Sequence, residues 1–423
     1  MLPNLWSRRP LYMKWGTLDD DNADASRLLR CPTALLYEVG GDAERRGSAG
    51  QFTPSSTSDA QTEAGGTMRA VMILLGVMFV LYQANRVARS GSAPSESDAP
   101  APWEGAGVLP LVTVMVAAWN AVRDVERFVE AFRCLSYPNL ELVVCAGGND
   151  GTWKQMEKCG GADVIMVQQE AGEGKQRALA KAFKKSRGKI IFLTDIDCEL
   201  TDESFTARVA PIIQGTAKVV TGPYRPLSSQ EAQPFVWAQW AAQRTTYPDH
   251  LETTRGLVGA NTAIHRDLIE ETGSFTATAP SGTDYTLAKQ LLNGGHELWF
   301  EPQAPIATVY PETVRAYVRQ QRRWIRNVAV LGHRYQEKAE VRAAVKTMAQ
   351  PWVLLICAAL GLGIWEFWVL GGLLGAHALS NRVIYLRRAG RMVGAMWILR
   401  HYVADLWAAG AATWSIASGQ VRW

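Results

Sequence analysis

Asp195 and Asp197 stand one residue apart at the end of an apolar run, Ile190-Ile191-Phe192-Leu193-Thr194. The run reads as a buried strand, and carboxylates do not belong in the core that such a strand enters. In a parallel α/β sheet, ligands bind just beyond the carboxyl ends of the strands. Two aspartates placed there are hard oxygen ligands for Mg²⁺ or Mn²⁺, and the cation would offset the charge of a nucleotide diphosphate. By itself an Asp-x-Asp of this kind also reads as a cap or a turn. Two further groups follow in the chain. Thr283-Asp284 precedes an apolar run, as a helix cap would, and Gln320-Gln321-Arg322-Arg323-Trp324 places Gln320, Arg323 and Trp324 on roughly one helical face.

Such residues need a scaffold to bring them together. Leu111 to Val116, Leu140 to Cys145, Val164 to Gln168 and the run ending at Asp195 read as strands. Val122 to Cys134 and Gly174 to Ser186 read as helices, and another follows the glycine-rich turn Ala146 to Thr152. Strands alternating with helical patterns imply βαβ units and a mostly parallel sheet, an α/β fold.

The flanks are of a different kind. Residues 1–67 are expected to be a disordered extension, because their Ser/Thr/Gly/Ala/Gln-rich end cannot bury enough apolar surface to offset the entropy of ordering. Residues 68–86 read as an N-terminal membrane anchor. Their apolar stretch, Ala70 to Ala84, is shorter than the roughly 20 residues a span needs, so a buried or interfacial helix is the alternative. Residues 87–108, rich in Pro, Ser and Ala, form a flexible linker. After Pro311 the period is helical, with a basic face from Thr313 to Arg342. Residues 331–347 are expected to form a basic interfacial helix, and 348–423 a set of C-terminal membrane-associated helices. Met348 to Ile364 and Phe367 to Ser380 suit a hairpin about Trp365-Glu366. The last segment, Val393 to Ser418, is interrupted by Arg400, His401 and Asp405, charges that make a lipid-facing span costly. An interfacial or bundle-buried helix fits it as well.

Composition narrows the class. A net charge of +4 gives no argument for a nucleic-acid partner. Sixteen tryptophans in a chain that is 48% hydrophobic fit a soluble core joined to membrane-associated pieces, because Trp favours membrane–water interfaces. The six cysteines contain no Cys-x-x-Cys, and no histidine stands at zinc spacing, which argues against a disulfide framework and a structural metal.

The order of strand-end Asp-x-Asp, Thr283-Asp284-Tyr285-Thr286-Leu287, Gln-x-x-Arg-Trp and a long apolar segment resembles the family 2 glycosyltransferases. The resemblance covers about Val112 to Asn327. It is closest to the membrane-bound inverting enzymes that include cellulose, hyaluronan and chitin synthases and ceramide glucosyltransferase. It implies a Rossmann-like GT-A domain over residues 109–330, dependence on Mg²⁺ or Mn²⁺, and a nucleotide-sugar donor, a UDP-sugar ahead of a GDP-sugar.

The resemblance also distributes roles. Asp197 becomes the main metal ligand, with Asp195 shared between metal and donor. Lys175 matches a lysine that lies near the diphosphate as a compact charge, against the plain alternative of a solvated helix-start lysine. Asp284 matches the general base, which must stand within hydrogen-bond reach of the attacking hydroxyl; Thr283 replaces the usual Glu before it. Arg323 would stabilise the departing diphosphate. Gln320 and Trp324 would meet the acceptor, leaving Arg322 and Arg326 free to face lipid. Asn120 stands where the family holds the nucleotide, or serves as a helix N-cap. Asp150 matches a loop aspartate that reaches the nucleotide or orders its turn. The family's base-binding aspartate falls on Cys145 or Ala146, neither of which makes that contact. The aromatic segment Pro234 to Ala241 matches an acceptor-lining or membrane-skimming region, though such a stripe also reads as core. Gly259 to Ala263 resembles the small-residue turn beneath the donor sugar.

The expectation is an integral membrane protein that is an inverting β-glycosyltransferase, its catalytic domain facing the cytosol. Basic residues at Arg86, Arg89, Arg322 to Lys346 and Arg382 to Arg391 set that orientation. The acceptor is expected to be a polysaccharide. A ceramide- or polyprenyl-type lipid acceptor is the alternative, because threading a polymer takes more spans than the chain offers. A non-catalytic GT-A scaffold is a third reading, favoured only by the altered nucleotide loop.

Overall fold

The computed structural model describes residues 74–89, 109–275 and 281–419. The expected disordered extension, residues 68–73 of the expected anchor, and residues 90–108 of the expected linker lie outside the described residues. Residues 74–89 form a helix, α1. The next elements are β1 (Val112–Trp119), α2 (Val125–Arg133), β2 (Leu140–Gly147), α3 (Thr152–Cys159), β3 (Val164–Gln168), α4 (Gly174–Lys185) and β4 (Ile190–Asp195). They are followed by α5 (Asp202–Ile213), β5 (Val219–Thr221), β6 (Tyr224–Pro226), α6 (Ser228–Glu231), α7 (Pro234–Arg244), β7 (Glu252–Thr254) and β8 (Thr262–His265). Then come α8 (Arg266–Glu271), α9 (Thr283–Asn293), β9 (Leu298–Phe300) and β10 (Ile306–Thr308), and four long helices: α10 (Val314–Arg334), α11 (Lys338–Leu360), α12 (Glu366–Arg388) and α13 (Ala395–Ala417).

Eight strands make one sheet in the order β3-β2-β1-β4-β8-β5-β9-β7. β3, β2, β1 and β4 are parallel, β8 runs antiparallel between β4 and β5, β9 is parallel to β5, and β7 closes the edge antiparallel. The fold is α/β with a mostly parallel central sheet. The chain leaves β1 toward β2 and β3 and returns on its other side as β4, so β1 marks the switch point where such sheets take ligands. Ala117 of β1 pairs in register with Asp195, which puts that carboxylate at the mouth of the crevice.

β1 is apolar on both faces because both are covered. Val112, Val114 and Val116 belong to a core with Phe128 and Phe132 of α2 and Phe205 of α5. Met115, Val143, Ile191 and Leu193 join Leu179 of α4 and Leu287 and Leu291 of α9 on the other face. The approach to β4 is pinned by buried Glu141, which accepts from the Arg187 guanidinium (2.9 Å) and from Thr113 Oγ1 (2.6 Å). The strand that delivers the aspartates is therefore held from its far end.

The long helices pack as a bundle against α7. The charges that interrupt α13 point inward: Asp405 accepts from the Tyr317 hydroxyl of α10 (2.5 Å) and pairs with Arg382 of α12, and His401 Nε2 lies 3.0 Å from the same hydroxyl. α1 lies along α12, with Gln83 Nε2 2.7 Å from His377 Nδ1 and Arg86 donating to Asn381 Oδ1 (3.0 Å).

The basic stretch 331–347 is not one helix. Glu337 N–H donates to the Gly332 carbonyl (2.8 Å) and Gln336 N–H to that of His333 (3.2 Å), a Schellman turn with Gln336 left-handed at φ 58°. α10 therefore stops at Arg334 and α11 starts anew at Lys338. Among the described residues, α11 is the one helix long and apolar enough to cross a membrane by length and composition. Large apolar side chains stand exposed along α1 (Leu74, Met78, Leu81), α11 (Trp352, Leu355, Ile356) and α13 (Leu399, Val403, Trp407).

Candidate active site

Asp195 ends β4, and Asp197 lies in a turn closed by Cys198 N–H donating to the Asp195 carbonyl (3.1 Å). Ile196 between them is buried, while both aspartates line a cavity of about 510 Å³. The same cavity receives Lys175 from the start of α4, Asp284 from the start of α9, and Gln320, Arg323 and Trp324 from α10. Asn120 and Asp150 are not among its lining residues.

Charge in the cavity is unbalanced. Lys175 is ion-paired with Asp195; burial works against its charge, but Asp195 and then Asp284 and Asp197 outweigh burial and raise its pKa. The Asp197 carboxyl is pushed up to about 6, first by burial and then by Asp195, against the pull of Lys175. Burial also raises the Asp284 carboxyl, with Lys175 and the Tyr285 N–H working the other way. Two crowded carboxylates sharing one lysine fit a divalent cation that takes one or two carboxylates and leaves its other positions to water and phosphate oxygens. Among the described residues no third His, Cys, Asp or Glu completes a cluster, so an all-protein cage is not built here.

The stripe Tyr317, Gln320, Gln321, Trp324, Asn327 and Val328 lines the cavity from α10, at the three- and four-residue spacing of one helical face. Arg323 flanks this stripe and Arg322 is exposed. Arg326, expected to face lipid, is instead buried at 5% exposure, because α11 and α13 pack on α10. The Gly259 to Ala263 turn brings Gly259 to the cavity. Its Asn261 is buried, accepting from Arg208 Nε (3.2 Å) and donating to the Pro223 carbonyl (3.0 Å).

Asn120 and Asp150 tie two turns together at the carboxyl ends of β1 and β2. Asn120, left-handed at φ 53°, accepts from Asn149 N–H (2.9 Å). Asp150 accepts from Val122 N–H (3.1 Å) and from the Thr152 hydroxyl (2.6 Å). Burial pushes the Asp150 carboxyl up, but these hydrogen bonds together outweigh it and hold the carboxyl below the usual range. Beside them Trp119 is 41% exposed, its indole against Gly147. Cys145 is buried in the core, and burial pushes its thiol up to about 11.

Sequence reasoning reached the α7 side of the cavity only in part, since the segment Pro234 to Ala241 includes Gln239 but not Gln243. Gln239, Gln243, Tyr247 and Tyr310 all line it. The Tyr310 hydroxyl donates to Gln243 Oε1 (2.7 Å), and Gln243 Nε2 donates to the Tyr247 hydroxyl (2.8 Å). The signal was two glutamines four apart inside an aromatic run. The tryptophans of that run do other work: Trp237 donates to the Arg391 carbonyl (3.1 Å) and Trp240 to that of Tyr224 (3.1 Å).

The sequence profile of glycosyltransferase-like family 2 matches residues 110–327, more than half of the chain. The chain belongs to this family. The profile of glycosyl transferase family group 2 also matches, over residues 250–407, which extends family 2 likeness into the helices. A curated relative, the probable glycosyltransferase YdaM of Bacillus subtilis (strain 168), is 26% identical over 234 residues, covering 52% of this chain and 55% of the relative. The chain thus spans about half the length of that relative. Among solved structures, it is similar to the mannosyltransferase PcManGT from Pyrobaculum calidifontis in complex with GDP-Man and Mn²⁺, at 19% identity and a TM-score of 0.44, over 74% of this chain and 97% of that one. It is also similar to glucosyl-3-phosphoglycerate synthase from Mycobacterium tuberculosis, at 16% identity and a TM-score of 0.41, over 58% of this chain and 88% of that one.

Proposed function

We propose that this family 2 member is a membrane-bound, metal-dependent, inverting glycosyltransferase of the GT-A type. Its donor is a cytosolic nucleotide sugar, a UDP-sugar ahead of a GDP-sugar, and its acceptor a polysaccharide. The observation that carries the reading is the convergence of Asp195, Asp197, Asp284 and Arg323 on one cavity at the carboxyl edge of the parallel sheet.

Asp197 and Asp195 are the residues to hold Mg²⁺ or Mn²⁺ against the donor diphosphate. The bound cation supplies positive charge that offsets the diphosphate. Lys175 pairs with Asp195 and adds a compact charge beside the phosphates. Asp284 accepts the proton of the acceptor hydroxyl. That oxygen bonds to the anomeric carbon as the bond to the diphosphate breaks, and Arg323 takes up the departing charge. Burial raises the proton affinity of Asp284, which favours its work as a base. On the nucleotide side, the exposed Trp119 offers the base a flat apolar face, while Asn120 and Asp150 shape the turns around it.

The cavity lining mixes polar side chains with Trp324, tyrosines and aliphatic groups such as Val309 and Pro311. Gln320 and Trp324 share the lining with Gln239 and Gln243, and two buried oxygens in it, Gln321 Oε1 and Asn327 Oδ1, have no hydrogen-bond partner among the described residues. Such a surface suits hydroxyl donors and a sugar ring face. This supports a carbohydrate acceptor over a lipid tail. The single helix with span character among the described residues favours the other product, a glycolipid. The exposed apolar side chains of α1, α11 and α13 support membrane attachment, and basic residues such as Arg342 and Arg388 support a cytosolic face. The test is incubation of membranes containing the chain with labelled UDP- and GDP-hexoses and Mn²⁺. Label in polymer is expected; label in the organic phase would move the acceptor to a lipid.

A further inference from the structure

About one and a half turns along α9 from Asp284, Lys289 is only 1% exposed. Its ammonium donates to Glu340 of α11 and to the Arg255 carbonyl (3.2 Å), and it lies 3.1 Å from Glu337 Oε1. Glu340, also 1% exposed, accepts from the hydroxyl of Tyr285, the residue next to Asp284. Arg255 closes the cluster on Glu337 (2.6 Å). Lys289, Glu337, Glu340 and Arg255 all stand outside the cavity lining, so none of them touches substrate.

A buried ion pair is poorly explained by stability, because desolvating two charges offsets most of their attraction. Fixing one element in register against another is its best-attested use. α9 has such a need: it starts at Gly282 in a left-handed conformation with no side-chain cap. The N-terminal turn of α11 is a good seat for the two glutamates, since a helix N-terminus favours negative charge.

We propose that Lys289 and Glu340 are positioning residues, which set the depth and rotation of α9 against the start of α11 and so aim Asp284 at the acceptor hydroxyl. The placement of α11, the helix with span character, is thereby passed to the chemistry. The proposal rests on reading Asp284 as the general base.

The test uses the full chain in membranes with a tritiated UDP- or GDP-hexose that the wild type consumes, and rates normalised to donor-binding sites. Lys289→Met/Glu340→Gln removes both charges together. A displacement of about 1 Å can cost 10²-fold, so kcat is expected to fall tenfold or more with the donor KM within twofold of wild type. A purely structural role would lower the amount of folded protein and leave kcat per site unchanged, and kcat within twofold of wild type overturns the proposal. If the double variant does not reach the membrane, Tyr285→Phe removes a single hydroxyl and is expected to lower kcat at least threefold at constant donor KM; an unchanged kcat there overturns it as well. Transfer by the wild type with none of these losses sinks the proposal alone. Absence of transfer by the wild type sinks the functional reading and the proposal together.

Discussion

Gly259 lies directly against Asp284: a methyl group on its Cα would stand 2.9 Å from the Asp284 Cβ and 3.6 Å from its carboxyl carbon. Glycine is required here for space, since the neighbour is the first carbon of a short side chain whose helix cannot yield cheaply. Gly259→Ala is expected to push the Asp284 carboxylate off line and cut kcat by about 10- to 10²-fold. The donor KM should stay near wild type, a split that steady-state kinetics will show.

Asp284→Asn is expected to lower turnover by roughly 10²- to 10⁴-fold, the usual contribution of a general base. Donor binding, measured by isothermal titration, should be nearly unchanged. A rate within about threefold of wild type would reduce Asp284 to a helix-start residue, and a large loss of donor affinity would move it to the nucleotide side.

Asp197 makes the site sensitive to pH. Its folded value of about 6 lies above the ordinary carboxylate range, so its contribution favours the fold at low pH and is lost as pH rises through about 6. Chelator-treated protein should therefore lose thermal stability between about pH 4 and 6, and Mn²⁺ should restore it at pH 7. Because proton and cation compete for one carboxylate, the Mn²⁺ needed for half-maximal activity should rise by up to about tenfold per pH unit below about 6. Asp197→Asn is expected to abolish activity and both pH effects, as melting curves and metal titrations will read out.

The first half of the α/β unit was legible because its strands are long, apolar and separated by helices of clear period: β3 was read as Val164 to Gln168 and is Val164–Gln168. The second half was not, since β5, β7, β9 and β10 hold three residues each and carry no period. The residues that converge on the cavity were visible because carboxylates and a Gln-x-x-Arg-Trp string stand out against apolar neighbours. Gln243 and Tyr310 were hidden, since they are 67 positions apart and ordinary in type. The end of α10 was also hidden, because Gln336 takes the left-handed position where a glycine would have announced it.

Asp405 tests the bundle. Removing it leaves the half-buried Arg382 guanidinium without its carboxylate, and breaking a buried pair costs about 3–5 kcal/mol. Asp405→Ala is expected to melt well below wild type in detergent, measured by intrinsic tryptophan fluorescence. Arg382→Met/Asp405→Leu, which removes both charges, should recover most of the loss.

The central claim is that Asp284 and the Asp195–Asp197 pair act on one donor sugar in one cavity. Its most direct test is the transfer of tritium from a panel of UDP- and GDP-hexoses into acceptor by membranes carrying wild type, Asp197→Asn or Asp284→Asn. Wild type is expected to show Mn²⁺- or Mg²⁺-dependent transfer from at least one donor. Transfer is expected to be lost in both variants, and metal-stimulated donor binding to be lost in Asp197→Asn alone. No transfer from any donor, or wild-type transfer by Asp284→Asn, would contradict the claim.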